Sequence, residues 1–122
     1  MPPVKAQPTY DSAVLDLLTW EFSHTDQKSI ETKIKRKLKN YKLGIFDQER
    51  IERLRRLKNE VVAEIEKTNH SNYYSKGSSE LAELSDFDIT RMTAEWRTKF
   101  PDVSDTDMHN FIAFAVYLHY LR

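Results

Sequence analysis

A chain of 122 residues with 19 acidic and 19 basic side chains, 31% charged and 39% hydrophobic, has the length of one folded domain and too many large apolar residues for global disorder. It has no cysteine, which excludes disulfides, thiolate metal sites and cysteine nucleophiles, and its two glycines are too few for the tight turns of a strand-rich fold. No apolar run reaches the roughly 18 residues a membrane span needs, and no basic region followed by an apolar run marks a secretion signal, so the expected setting is cytoplasmic, or nuclear in a eukaryote.

Residues 1–8 hold three of the four prolines and are expected to form a short mobile tail ahead of a single helical domain at 9–122. Thr9 or Asp11 is placed to cap a first helix over about 11–22, with Val14, Leu15, Leu17, Leu18 and Phe22 on its buried face and Trp20 nearby. Thr25 or Asp26 then caps a second helix over about 27–43, whose Ile30, Ile34, Leu38 and Tyr41 form one stripe. Gly44 stands where a left-handed helix stop belongs. Asp47 is the predicted cap of a third helix over about 48–67, buried through Ile51, Leu54, Leu57, Val61, Val62 and Ile65. The short connection between the second and third helices predicts an antiparallel hairpin.

A polar loop is expected at 68–79. Asn69-His70-Ser71 inside it matches a glycosylation sequon, which without a secretory route reads as chance. Ser85 and Ser104, each followed by carboxylates, are start signals for helices over about 86–99 and 105–121. The first carries the stripe Ile89, Met92, Trp96 and Phe100, and Pro101 stops it. The second is apolar on nearly every side. The class expected is therefore all-α: an irregular bundle of four or five helices.

Little in the chain points to catalysis or to a cofactor. His24, His70, His109 and His119 are scattered, and the last two, if on one helix, are about 15 Å apart along its axis, too far to share a metal. Asp102, Asp105 and Asp107 lack the spacing, the glycine and the closing glutamate of a calcium loop, so capping explains them better. No G-x-S-x-G, P-loop, Gly-rich dinucleotide turn or H-E-x-x-H is present. The expectation is no catalytic residue, no metal, no cofactor and no small-molecule substrate, with an enzyme whose site is composite as the distant alternative.

The charge distribution says more than the net charge of zero. Residues 1–27 sum to −3, residues 28–58 to +8 and residues 59–122 to −5. Much of the surplus lies on the second helix, where Lys28, Lys33, Lys35, Arg36, Lys37, Lys39 and Lys42 face Glu31 alone. At 100° per residue Lys28, Lys35, Lys39 and Lys42 share one side, with Arg36 on the adjacent flank. That set is the candidate surface for a polyanion or an acidic partner. The C-terminal helix is the second candidate. Either it is central to the fold, or Phe111, Phe114, Tyr117, Leu118, Tyr120 and Leu121 meet another chain.

The segment from Trp96 to Val116, with Phe100-Pro101 between two helices, resembles ubiquitin-binding modules of the CUE type. The resemblance covers that segment alone, and no function is carried over from it. The leading expectation is a non-enzymatic protein-interaction module with an adaptor, assembly, inhibitor or antitoxin-like role. It would bind a protein partner or itself as a homo-oligomer. The alternative is a nucleic-acid-binding protein that uses the basic helix at 27–43.

Overall fold

The structure, a computed structural model, describes residues 8–21, 26–67 and 88–120, with side chains described as far as Leu118. The described residues form five α-helices and no strand: α1 (Tyr10–Leu18), α2 (Gln27–Asn40), α3 (Gln48–Glu66), α4 (Ile89–Lys99) and α5 (Asp105–Tyr120). This is the all-α class that glycine poverty and helix-forming composition predict. The chain divides into two compact units, one up to Leu54 and one from Arg55, with the boundary inside α3. The predicted tail (but for Pro8), the 68–79 loop, Phe22 and Ser85 lie outside the described residues.

In the first unit Thr9 caps α1 reciprocally. Its hydroxyl accepts from the Ser12 amide at 3.0 Å, and the Ser12 hydroxyl accepts from the Thr9 amide at 3.0 Å. The helix ends at Leu18, short of the predicted residue 22. Buried Thr19 donates its hydroxyl to the Leu15 carbonyl at 2.6 Å, and the Trp20 and Glu21 amides bond three residues back, which tightens the chain out of the α-helix. Trp20, expected near the buried face, is 50% exposed. α1 packs against α2, with Val14, Leu15 and Leu18 buried on one helix and Ile30, Ile34 and Leu38 on the other. Each such side chain stabilises by roughly 1.5–3 kcal/mol, against less than about 1 kcal/mol for an exposed ion pair, so the stripes and not the charges hold the unit.

Both ends of α2 depart from the sequence reading. Asp26 takes the N-cap position with helical backbone angles and makes no capping bond from its side chain. At the other end the helix stops at Asn40 rather than 43, and the left-handed residue is Lys42 (φ 53°), not Gly44. The Leu43 amide reaches the Leu38 carbonyl at 2.9 Å and the Lys42 amide reaches Lys39 at 3.2 Å, which are the two bonds of a Schellman stop. Tyr41 therefore leaves the predicted stripe and is 46% exposed. Gly44 has φ 132°, outside the reach of most side chains, though an added Cβ would find ordinary contact at 3.6 Å from the Tyr10 ring. Residues 41–47 lie between α2 and α3, a longer connection than the sequence reading expects.

Tyr10 holds that connection. Its hydroxyl donates to the Ile45 carbonyl at 2.9 Å and accepts from the Asp47 amide at 3.0 Å. Asp47 caps α3 as predicted, accepting from the Arg50 amide at 3.3 Å.

In the second unit α4 packs against α5. The described part of α4 is capped by Asp88, whose carboxylate accepts from the Arg91 amide at 3.0 Å, so its start falls later than the predicted Ser85 signal. Met92, Trp96 and Phe100 are buried, and the helix ends before Pro101. Arg97 ties the α4–α5 corner, donating from Nε to the Val103 carbonyl at 2.8 Å and from a terminal nitrogen to Asp105 at 3.0 Å. The Ser104 hydroxyl accepts from the Asp107 amide at 3.1 Å and caps α5 as predicted.

Candidate functional site

α2 places its cations around the part of its circumference that its apolar stripe leaves open. Lys28, Lys35 and Lys39 lie on one side, as 100° per residue requires, and all three are exposed. Lys42, predicted on the same side, sits beyond the helix in the left-handed stop, so helical phasing no longer fixes its direction. Arg36 is exposed on the adjacent flank. The Lys35 ammonium lies 4.9 Å from the centre of the Phe46 ring, within cation–π range.

One cation of α2 is answered by an acid across the unit: Lys37 meets Asp16 of α1 at 3.7 Å. Among the described residues, no carboxylate pairs with Lys28, Lys33, Arg36, Lys39 or Lys42. Like charges three and four apart on a helix, as in Lys33–Arg36 and Lys33–Lys37, destabilise it by roughly 0.2–0.5 kcal/mol each. The sequence surplus also overstates the accessible charge on α3, where Arg55 and Lys58 are only 5% and 6% exposed and engaged within the fold. Nothing in their local spacing marks them as buried.

A shallow, open groove that sequence reasoning did not single out lies where the end of α1 meets the C-terminal half of α2. It has a volume of about 300 Å³ and is lined by Leu17 of α1, by Lys33, Arg36, Lys37 and Asn40 of α2, and by Tyr41. Its signal in the sequence is the i, i+3, i+4 spacing of Lys33, Arg36 and Lys37, opposite in character to the apolar stripe. That spacing becomes a groove only once α1 brings Leu17 alongside.

The aromatic candidates on α5 are divided. Phe111 and Leu118 are buried at 3% and 7% exposure, Phe114 is half-buried, and Tyr117 is 61% exposed. The Tyr120 side chain and Leu121 lie outside the described residues. Among the described residues no group of three or more His, Asp or Glu side chains is placed to hold a metal ion, and no helix is long and apolar enough to cross a membrane.

Compared with known protein families, curated proteins and solved structures, the chain matches none.

Proposed function

We propose that this chain is a non-enzymatic protein-interaction module that meets an acidic partner through the exposed cationic surface of α2. The observation that carries this reading is the set of Lys28, Lys33, Arg36 and Lys39 on α2, with Lys42 just past its end, none of which pairs with a carboxylate among the described residues. A solvated face needs cations for solubility, but it does not need them gathered on one helix of a chain whose net charge is zero. Cations clustered in this way select a partner of opposite sign at short range.

A protein partner is favoured over nucleic acid because the remainder of the chain cancels the long-range pull toward a polyanion. The test is affinity capture from the native host, with and without nuclease, using the wild-type chain and a Lys28→Gln/Lys35→Gln/Lys39→Gln variant. The expected result is a protein band that survives nuclease and is lost with the variant. A band that vanishes with nuclease would support nucleic-acid binding instead. A band equally strong with the variant would remove the Lys28/Lys35/Lys39 side of α2 from the interface.

A further inference from the structure

We infer that the groove between α1 and α2 receives an acidic peptide segment carrying one apolar side chain, with the carboxylates on Lys33 and Arg36 and the apolar group between Leu17 and Tyr41. This rests on the reading of α2 as a contact surface and names the part of it that confers specificity. The groove joins two chemistries that the Lys28/Lys35/Lys39 side does not. Its walls are the half-buried Leu17 and the exposed ring of Tyr41, and its rim is Lys33, Arg36 and Lys37.

The structure already shows what this rim accepts. Lys37 holds the carboxylate of Asp16 at 3.7 Å, while no described carboxylate meets Lys33 or Arg36. A partner that supplies acids to those two cations extends a contact the fold makes once by itself. Arg36 is suited to this role, since its planar fork can take a carboxylate through two parallel hydrogen bonds. The Asn40 amide, one turn on, adds a donor and an acceptor for the peptide backbone. The apolar wall separates this occupant from a bare polyanion. A phosphate backbone would use the cations and leave Leu17 unused, whereas an apolar side chain flanked by acids uses both.

The test uses the full chain, labelled for amide resonances, titrated with a short Glu-rich peptide bearing one central Leu. The same peptide with Ala in place of Leu and a labelled DNA duplex are run beside it. The expected result is shifts at Leu17, Lys33, Arg36, Lys37, Asn40 and Tyr41, with the Leu peptide binding about tenfold more tightly than the Ala peptide. Lys33→Glu with Arg36→Glu changes exposed side chains and should weaken the Leu peptide by about tenfold or more without lowering the melting temperature. Equal affinity for the Leu and Ala peptides, or shifts confined to the Lys28/Lys35/Lys39 side, would overturn the groove while leaving α2 as a contact surface. A duplex that binds more tightly than either peptide at physiological salt would overturn both readings. No shift with any probe would overturn the groove as an acidic-peptide site.

Discussion

Arg50 and Asp11, thirty-nine positions apart, are joined through one carboxylate oxygen, which accepts from Arg50 Nε at 3.0 Å and lies 2.9 Å from a terminal nitrogen. The same guanidinium lies 3.9 Å from the centre of the Tyr10 ring. Asp11 is nearly buried and Arg50 partly so, which gives this pair more weight than a surface bridge and less than a fully desolvated one. Arg50→Ala should cost about 1.5–3 kcal/mol in urea denaturation, and Arg50→Lys should recover less than half of it, because an ammonium lacks the fork and the planar face. Equal stability of the Lys variant and wild type would show that charge alone matters here. Tyr10→Phe should cost about 1–2 kcal/mol, since the Ile45 carbonyl and the Asp47 amide both lose their partner.

The end of α2 carries a correctable strain. Lys42 occupies a left-handed conformation at φ 53°, where a side chain costs roughly 1–2 kcal/mol and glycine costs little. Lys42→Gly should raise stability by about 0.5–1 kcal/mol, after allowance for the greater freedom of glycine in the unfolded chain. Gly44→Ala should lower stability despite adequate space around the new methyl, because φ 132° is outside the range of alanine. Paired thermal melts of the two variants should move in opposite directions. A drop for both would show that the Lys42 side chain contributes more than its backbone costs.

The caps of α1, α3 and α5 were legible in the sequence, and those of α2 and α4 and the long-range clasps were not. Thr9, Asp47 and Ser104 cap as their positions predict, because a cap is a contact across three residues. The stripe Ile30/Ile34/Leu38 and the stop before Pro101 follow from helical period and proline sterics in the same way. Arg50–Asp11 and the Tyr10 hydroxyl bridge depend on where α3 returns to α1, which no local spacing encodes. Lys42 was missed because Gly44 was the stronger local signal, yet both residues take positive φ and the Schellman bonds select the earlier one. The cationic side of α2 was legible as a periodicity. Its groove was not, since Leu17 comes from another helix.

The α4–α5 corner should depend on Arg97 more for its backbone bond than for its ion pair. Its partner Asp105 is 80% exposed, so water screens the charge, whereas the Val103 carbonyl lies in a part-buried setting. Arg97→Ala should destabilise by about 1–2 kcal/mol and Asp105→Ala by a few tenths of a kcal/mol at most. Chemical denaturation of both variants separates the two contributions. A larger loss for Asp105→Ala would place the weight on the ion pair.

Self-association through α5 would have to rest, among the described side chains, mainly on Tyr117, because Phe111 and Leu118 are already buried within the chain. One exposed tyrosine falls far short of the roughly 800 Å² per partner of a stable interface. If the described part of α5 makes no contact with a second copy, light scattering across a dilution series returns the same mass for Tyr117→Glu as for the wild type. A larger mass that falls to the monomer value in Tyr117→Glu would identify α5 as a self-association face.

An acidic protein and nucleic acid would meet the cations of α2 with different salt dependence. The most direct test is fluorescence anisotropy of a labelled DNA duplex and a labelled RNA, titrated with the chain over a range of salt concentrations. The expected result is no binding above background at physiological salt. The contrary result is binding whose log affinity falls linearly with log salt, by close to one unit per phosphate contact on duplex DNA. That slope would have to shrink when Lys28, Lys35 and Lys39 are replaced by Gln, and such an outcome would make α2 a phosphate-binding surface.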